Sequence, residues 1–338
     1  MRYDFASDNT AGMAPSALRG LVEANSGFAA GYGADEYSRK AADEIRKLLD
    51  VDADIRFMFT GTAANSIALS MLANPFEAVL AHHTAHVCTD ETGAPGFFGH
   101  GVGLIGLPGY SGKIDDESLC AVLDEPVVGH RQPPAALTLT QATEYGTVYS
   151  FEEMDLLIRL AKGQGLGVHV DGARLANAAA AGFDPKSLSR MGVDILSLGG
   201  CKAGAHGVEA LVVLNKSLSS RLDNRLKQAG QTASKGRLLA APMGELIASG
   251  EWLSGAQHAN AMAQKLASGI EDDTPFVLAH PVESNTVFVR MPDEALTALR
   301  AKGFAAYAFD DGSVRFVCSW ATQAEAVEEL IAVLGQLG

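Results

Sequence analysis

Short, mostly apolar segments that alternate with a helical pattern constrain the fold of this chain most strongly. Three of them cover residues 166–170, 195–198 and 210–214. Strands with few polar residues are typical of parallel sheets, because helices cover both faces of such a sheet. The alternation therefore predicts an α/β fold with a mostly parallel sheet covered by helices.

The clearest helical pattern lies directly before the first of these segments. Ser150 and Glu153 have the spacing of a capping box, in which each side chain binds the other residue's main-chain N–H. Gly163 supplies a stop signal. One apolar face recurs at helical spacing, formed by Met154, Leu157, Ile158 and Ala161. We expect a helix over residues 150–163.

The chain after residue 250 has the pattern of an α+β unit. Residues 287–291 and 313–320 are predicted strands, and the end of the chain is a predicted amphipathic helix. The apolar positions of that helix are Ala324, Val327, Leu330, Leu334 and Leu337. A chain of 338 residues is long enough for about two domains of ~150 residues each. We predict a large N-terminal domain over residues 1–250 and a small C-terminal domain over residues 251–338.

Charge and cysteine content exclude several classes of partner. The formal net charge of −14 argues against nucleic acid, because phosphate binding depends on Lys and Arg. No apolar run approaches the ~18 residues of a membrane span, and the N-terminus lacks the apolar stretch of a signal peptide. Four cysteines lie far apart without a CxxC pair, as in proteins with reduced thiols: Cys88, Cys120, Cys201 and Cys318. We expect a cytoplasmic protein with no nucleic-acid or membrane partner.

Polar residues follow several of the predicted strands. Ligands of open α/β sheets bind at the carboxyl ends of the strands, where Asp171 and Lys202 are expected. Another candidate is the turn Thr60-Gly61-Thr62, which lies between a predicted strand and a predicted helix. The N–H groups of Gly61 and Thr62 would form a phosphate cradle at the helix N-terminus. A turn of this kind also has a purely structural interpretation.

Lys202 and Asp171 each allow two interpretations. Lys202 lies among glycines after an apolar strand, so burial would lower its pKa and free its amine for a Schiff base. The alternative is a solvated loop lysine. Asp171 would be a partly buried carboxylate that needs a cationic partner. Either Arg174 or a protonated ring nitrogen of a ligand would satisfy that need.

Two other patterns are not interpreted as sites. Residues 101–106 match GxGxxG, but Pro108 and Gly109 follow where a dinucleotide-binding turn would continue as a helix. Metal-ligating side chains also cluster, without the spacing of a zinc motif, at His82, His83, His86, Asp90 and Glu91. We expect no metal ion.

Several motifs taken together resemble one family. Three of them, in chain order, are Thr60-Gly61-Thr62-Ala63-Ala64-Asn65, His169-Val170-Asp171-Gly172-Ala173-Arg174 and Leu198-Gly199-Gly200-Cys201-Lys202. They resemble the low-specificity L-threonine aldolases, pyridoxal-phosphate enzymes of the aspartate-aminotransferase-like fold (fold type I). Further matching stretches are Ala6-Ser7-Asp8-Asn9, Tyr32-Gly33, Ala85-His86, Gly93-Ala94-Pro95, Gln141-Ala142-Thr143-Glu144, Lys227-Gln228-Ala229-Gly230-Gln231 and Val314-Arg315-Phe316-Val317-Cys318-Ser319-Trp320.

The resemblance implies a set of residues around pyridoxal phosphate. Lys202 would bind the cofactor covalently as a Schiff base, and Asp171 would pair with the pyridinium nitrogen. His86 would stack on the cofactor ring. The remaining cofactor contacts would come from Gly61, Thr62, Arg174 and Lys227.

The resemblance also implies substrate contacts. Ser7, Arg174 and Arg315 would bind the substrate carboxylate, and His130 lies where the family has a second histidine near the β-hydroxyl group. Strand alternation puts Arg315 opposite Val314 and Phe316, which by itself indicates a solvent-facing side chain. The resemblance instead places Arg315 over the cofactor.

An oligomer follows from the same resemblance. Lys227 would reach the cofactor phosphate of a neighbouring subunit, so we expect a homo-oligomer with shared sites, a dimer at least and a tetramer by expectation. Cys201, Ala203 and Ala34 stand where the family has Thr, Asn and Asp. These departures affect the expected substrate specificity more than the expected cofactor.

The reaction implied is cleavage of L-threonine, L-allo-threonine or a related β-hydroxy-α-amino acid to glycine and an aldehyde. One alternative is another pyridoxal-phosphate lyase that eliminates a group from the β-carbon. A second alternative is a protein that binds the cofactor without turnover. The products distinguish the two reactions, since β-elimination releases ammonia and a 2-oxo acid.

Overall fold

The computed structural model describes residues 1–126, 128–309 and 311–337. Its helices are α1 Pro15–Ala24, α2 Glu36–Leu49, α3 Gly61–Leu72, α4 His86–Thr89, α5 Ala94–Phe98, α6 Asp116–Leu123, α7 Phe151–Gly163, α8 Leu175–Ala180, α9 Ser187–Met191, α10 Leu222–Gln228, α11 Gly236–Ala248, α12 Glu251–Asp273, α13 Asp293–Ala301 and α14 Ala324–Leu334. Its strands are β1 Asp54–Met58, β2 Ala78–His82, β3 Gly103–Leu107, β4 Pro134–Thr140, β5 Gly167–Gly172, β6 Ile195–Gly199, β7 Glu209–Val213, β8 Val277–Leu278, β9 Thr286–Arg290, β10 Tyr307–Ala308 and β11 Ser313–Val317.

A mostly parallel sheet forms the large part of the molecule. Its strand order is β1-β7-β6-β5-β4-β2-β3, and among the described residues β7 alone runs antiparallel to its neighbours. Every residue of β2 and β6 is buried, as expected for strands of a sheet that helices cover on both faces. The apolar segment 195–198 predicted β6. The predicted α/β fold class is confirmed.

The predicted capping box forms at the start of α7. The Ser150 side chain accepts a hydrogen bond from the Glu153 N–H, and the Glu153 side chain accepts one from the Ser150 N–H. Met154, Leu157, Ile158 and Ala161 are buried on one face of this helix. The chain then turns at Gly165, which has a positive φ of 77°, and enters β5.

A smaller antiparallel sheet of order β10-β11-β9-β8 lies in the C-terminal part. Helices α12, α13 and α14 contribute buried apolar residues to its core, together with Phe5 from the N-terminus. The strand predicted over 313–320 ends earlier, at Val317, because the chain turns where Ser319 N–H donates to Thr322 Oγ1. The last predicted helix ends at Leu334, so Leu337 lies beyond it.

Helix α12 begins directly after Gly250, which has a positive φ of 81°. It packs against α8 and α11 and also against α14, β8 and β9. The boundary at residue 250 stays a prediction. No helix in the described ranges is long and apolar enough to cross a membrane.

The GxGxxG pattern does not form a dinucleotide-binding turn. Gly103 and Gly106 lie inside β3 rather than at the start of a helix. A Cβ on Gly103 would be 2.1 Å from Gln132 Oε1, and one on Gly106 would be 3.1 Å from the His83 Cα. These glycines therefore allow close packing along the strand.

Candidate active site

A cleft of about 290 Å³ opens where β4, β5 and β6 end. Parallel pairing aligns the last residue of β4, Thr140, with Asp171, and Lys202 follows β6 by three residues. Six predicted site residues line this one cleft: Gly61, Thr62, His86, Asp171, Arg174 and Lys202. The structure therefore brings together residues that are up to 141 positions apart in the chain, from Gly61 to Lys202.

The first turn of α3 forms one end of the cleft. Thr60 caps this helix by accepting a hydrogen bond from the Ala63 N–H at 3.1 Å. The earlier N–H groups of a helix have no partner within it, which leaves those of Gly61 and Thr62 for a ligand. A Cβ on Gly61 would meet nothing within 4 Å, so open space lies above this turn. The helix dipole favours an anion there.

Asp171 is buried at the floor of the cleft. Its Oδ1 accepts a hydrogen bond from the Ala173 N–H at 2.9 Å, and its Oδ2 accepts one from Asn65 Nδ2 at 2.8 Å. Arg174, one of the two expected partners, pairs with Asp8 instead. The other expected partner, a protonated ring nitrogen of a ligand, remains a prediction.

Lys202 lines the cleft and is partly buried, so the interpretation as a solvated loop lysine is wrong. Burial lowers the pKa of its amine, and the positive charge of Arg174 lowers it further. The glycines before it are required for close packing, since a Cβ on Gly199 would lie 2.2 Å from the Ala173 carbonyl oxygen. A lysine with a lowered pKa presents more of the nucleophilic, uncharged amine.

Arg174 and Asp8 form a two-pronged ion pair beside Lys202. Arg174 Nε donates to Asp8 Oδ2 at 2.7 Å, and Nη2 donates to Oδ1 at 2.9 Å. Burial raises the pKa of Asp8, but the charges of Arg174 and Lys202 outweigh it and hold that pKa below its usual range. Ser7 precedes this aspartate, and its Oγ accepts from the Asn9 N–H.

Arg315 is partly buried on β11. Its guanidinium carbon lies 4.8 Å from the centroid of the Phe309 ring. Its Nε is buried and has no hydrogen-bond partner among the described residues. Burial and the nearby charge of Arg174 lower the pKa of Arg315 to about 10. The solvent-facing interpretation is therefore wrong.

Four predicted residues do not line the cleft of their own chain: Ser7, His130, Lys227 and Arg315. His130 is exposed, in the connection between α6 and β4. Lys227 is exposed on α10, with its Nζ 4.9 Å from the centroid of the Tyr32 ring. It lines a separate cleft of about 680 Å³, together with Arg39 and Gln231.

The suspected histidine cluster has separate hydrogen-bond partners rather than a common centre. His82 Nδ1 lies 2.7 Å from Thr84 Oγ1, and His83 Nδ1 lies 3.1 Å from the Leu107 carbonyl oxygen. His86 Nδ1 lies 2.9 Å from Glu91 Oε1. Within the described part of the chain, no group of three or more His, Cys, Asp or Glu residues could hold a metal ion.

Sequence reasoning missed several residues at this site: Asp8, Asn65, Glu91, Glu144 and Glu209. Four of them stand in motifs or clusters that the sequence displays, so a search for charged and amide side chains there would have found them. Glu209 has no such signal. It reaches the cleft because β7 is antiparallel and therefore starts at the edge where its neighbour β6 ends, opposite Gly199.

Glu209 is a carboxylate with an unusual environment. Its Oε2 accepts a hydrogen bond from the Gly200 N–H at 2.8 Å. Burial raises its pKa to about 7, although the hydrogen bond from Gly200 and the charge of Lys202 both oppose that shift. It therefore changes charge near neutral pH.

We expect Glu209→Gln to change the pH dependence of stability. Between about pH 4.5 and 7 the folded chain retains a proton on Glu209 that the unfolded chain has released, so this residue makes stability fall as pH rises through that window. Gln keeps an acceptor oxygen for Gly200 but has no titratable proton. Urea unfolding across the window should show the variant gaining stability relative to the parent as pH rises. Glu152→Gln, on the exposed face of α7, is the control, and parallel curves for parent and Glu209→Gln would contradict the assignment.

Comparison with known proteins identifies the class. Residues 4–294 match the sequence profile of the β-eliminating lyases. The chain belongs to the β-eliminating lyase family.

Individual relatives point to a more specific group of enzymes within this family. Over 331 residues the chain is 44% identical to a low-specificity L-threonine aldolase from a Pseudomonas species, covering 97% of this chain and 96% of the relative. It superposes on the structure of Leishmania major threonine aldolase with a TM-score of 0.93, at 32% identity and 99% coverage of both chains. The resemblance to low-specificity L-threonine aldolases is confirmed, and so is the expected class of enzyme, a lyase.

The fold expectation is confirmed by a more distant comparison. Aspartate aminotransferase from Thermus thermophilus superposes with a TM-score of 0.70, at 16% identity and covering 99% of this chain and 89% of the other. This likeness shows the fold alone. Family and fold together support pyridoxal phosphate as the cofactor.

Proposed function

We propose that this chain cleaves L-threonine, L-allo-threonine or a related β-hydroxy-α-amino acid into glycine and an aldehyde. The observation that carries the proposal is the cleft in which the low-pKa amine of Lys202, the buried carboxylate of Asp171 and the open first turn of α3 face one another. This donor set matches pyridoxal phosphate, whose aldehyde, ring nitrogen and phosphate need an amine, a carboxylate and N–H donors.

The residues present fit the cofactor. Lys202 would hold it covalently as a Schiff base, Gly61 and Thr62 would bind its phosphate, and His86 would stack on its ring. When bound, pyridoxal phosphate supplies an electron sink for cleavage of a bond at the substrate Cα. Asp171 would hold a proton on the ring nitrogen, and its two hydrogen bonds to Asn65 and the Ala173 N–H fix its direction.

The two arginines would orient the substrate through its carboxylate. Asp8 occupies Nε and Nη2 of Arg174, which leaves Nη1 for the substrate, and the guanidinium of Arg315 is close enough to interact electrostatically with that of Arg174. Charged donors at fixed positions restrict rotation of the bound amino acid. Holding the carboxylate therefore determines which bond at Cα is aligned for cleavage. Ser7 stands beside Asp8 as a further candidate contact.

His86 is the proposed base for the β-hydroxyl proton. It lines the cleft, whereas His130 lies outside the cleft of its own chain. The hydrogen bond to Glu91 raises the pKa of His86, with burial opposing this shift. An imidazole with a raised pKa holds an accepted proton more firmly.

The purified protein loaded with pyridoxal phosphate should release glycine and acetaldehyde in equal amounts from L-threonine. Lys202→Ala should abolish this release, because the covalent contact is lost, whereas Lys302→Ala at an exposed position should retain it. Borohydride reduction followed by peptide mapping should place the adduct on Lys202. Ammonia and a 2-oxo acid as the products would overturn the proposal in favour of β-elimination.

Arg315 variants test the substrate carboxylate contact. Hydrogen bonds to charged groups contribute about 1.5–3 kcal/mol, so Arg315→Ala should lower kcat/KM by roughly ten- to hundredfold. Arg315→Lys should remain impaired, because an ammonium lacks the planar fork of a guanidinium. Arg290→Ala, at an exposed position on the neighbouring strand β9, is the matched control. Steady-state kinetics that show an unchanged kcat/KM for Arg315→Ala would remove this residue from the site.

We also propose that the protein is a cytoplasmic homo-oligomer whose subunits share active sites. It is at least a dimer, and we expect a tetramer. Support for sharing comes from Lys227, which is exposed and outside its own cleft. The four cysteines are free thiols, which agrees with a reducing compartment.

Mixing two inactive variants tests the shared site. If Lys227 serves a neighbouring cofactor, a mixed dimer of Lys202→Ala and Lys227→Ala contains one site with both lysines intact. Mixing under conditions of subunit exchange should therefore restore glycine release. Exchange demonstrated by mass spectrometry without any recovered activity would count against a site that takes Lys227 from the neighbour.

A further inference from the structure

A continuous chain of hydrogen bonds connects His86 to Asp171 beneath the cleft. His86 Nδ1 lies 2.9 Å from Glu91 Oε1. Asn65 Nδ2 donates to the same Glu91 oxygen at 2.9 Å and to Asp171 Oδ2 at 2.8 Å. Glu91 and Asn65 therefore connect two residues with proposed roles, His86 and Asp171.

The two nitrogens of the His86 ring have different surroundings, one buried and one at the cleft. The Glu91 side chain is fully buried, whereas 39% of the His86 side chain is exposed. Nδ1 points to Glu91 on the buried side. Nε2 has no hydrogen-bond partner among the described residues, and His86 lines the cleft. The nitrogen available to a ligand is therefore Nε2.

Glu91 determines where the imidazole hydrogen lies. An ionised carboxylate only accepts hydrogen bonds, and Oε1 already accepts from Asn65. A hydrogen on Nδ1 satisfies this geometry, and it leaves a lone pair on Nε2 when the ring is neutral. The other Glu91 oxygen, Oε2, is buried without a partner in the described chain. A proton bound to Oε2 would therefore leave the contact between Oε1 and His86 in place.

Taken together, the charged groups around His86 favour the protonated form of its ring. Glu91 is the nearest, Glu144 accepts the His86 main-chain N–H at 2.8 Å, and Asp171 adds a third carboxylate. Lys202 is the opposing positive charge. The contact with Glu91 has the largest effect, and the pKa of His86 is raised.

We propose that Glu91 is a positioning residue, which accepts the Nδ1 hydrogen of His86 and thereby presents Nε2 to the cleft as the atom that takes the β-hydroxyl proton. In this step the substrate O–H bond breaks, the proton forms a bond to Nε2, and Nδ1 keeps its own hydrogen. The resulting positive imidazolium lies against the Glu91 carboxylate. This inference rests on the proposed function, since it assigns a role within that reaction.

Two substitutions separate the acceptor from the charge. Glu91→Gln keeps an oxygen that can accept from His86 and Asn65 but removes the charge. Glu91→Leu removes both. General-base catalysis contributes ~10²–10⁴-fold, so we expect Glu91→Leu to lower kcat at least about tenfold with little change in KM. Glu91→Gln should lie between it and the parent.

A second measurement does not depend on activity. Diethyl pyrocarbonate acylates neutral imidazole, so its rate at His86 against pH, followed by peptide mapping in the cofactor-free protein, reports the pKa of this ring. Both Glu91 variants should shift the midpoint to lower pH, because both remove the carboxylate charge that favours the protonated ring. Glu153→Gln, which removes a carboxylate outside the cleft, should leave it in place. An unmoved midpoint in both Glu91 variants would overturn the inference.

A double-mutant cycle distinguishes action through His86 from a general structural effect. In a His86→Asn background, Glu91→Leu should cost no further activity. An equal loss in both backgrounds would show that Glu91 acts elsewhere and would also overturn the inference. Failure of the parent to produce glycine and aldehyde would refute the proposed function, whereas the acylation midpoint would still report on the Glu91–His86 contact.

Discussion

The buried ion pair between Arg174 and Asp8 is the interaction on which the arrangement of the site depends. The side chains are 12% and 1% exposed, so neither charge could remain there without the other. Asn285 from the C-terminal part donates to Asp8 Oδ2 and also to the Cys318 carbonyl oxygen. One carboxylate therefore joins the N-terminal segment, the large sheet and the small sheet at the edge of the cleft.

This pair also determines the direction of the guanidinium. With two nitrogens held by Asp8, Arg174 can turn only by breaking a buried contact, which leaves an uncompensated charge. Arg315 is close enough for its pKa to be lowered by Arg174. Arg315 has no ion-pair partner among the described residues, so its positive charge near Arg174 favours an anionic ligand in a molecule whose net charge is −14.

Much of the fold and part of the site could be predicted from the sequence. Apolar periodicity located α7, β5, β6 and β7, because burial on both faces of a sheet leaves a direct pattern in the chain. Asp171 and Lys202 were found for the same reason, since residues after such strands meet at one edge.

The positions of the other site residues depend on contacts between distant segments of the chain, or between chains. Glu209 enters the cleft only because β7 is reversed, and strand direction leaves no pattern in an apolar segment. Glu91 appeared in the sequence as a doubtful metal ligand, and its burial beside Asn65 and His86 results from the packing of α3 against the segment after α4. His130 and Lys227 lie outside the cleft of a single chain, so their proposed roles depend on a contact that one sequence does not contain.

The reversed direction of β7 has a consequence for the mobility of Lys202. Residues 200–208, which carry this lysine, connect two strands whose facing ends, Gly199 and Glu209, are neighbours in the sheet. A connection fixed at both ends can move only a short distance before it breaks sheet hydrogen bonds. In the proposed function, the Lys202 amine released from the cofactor would therefore stay at a high effective concentration beside it. Its return is then an intramolecular encounter that needs no reordering of the chain.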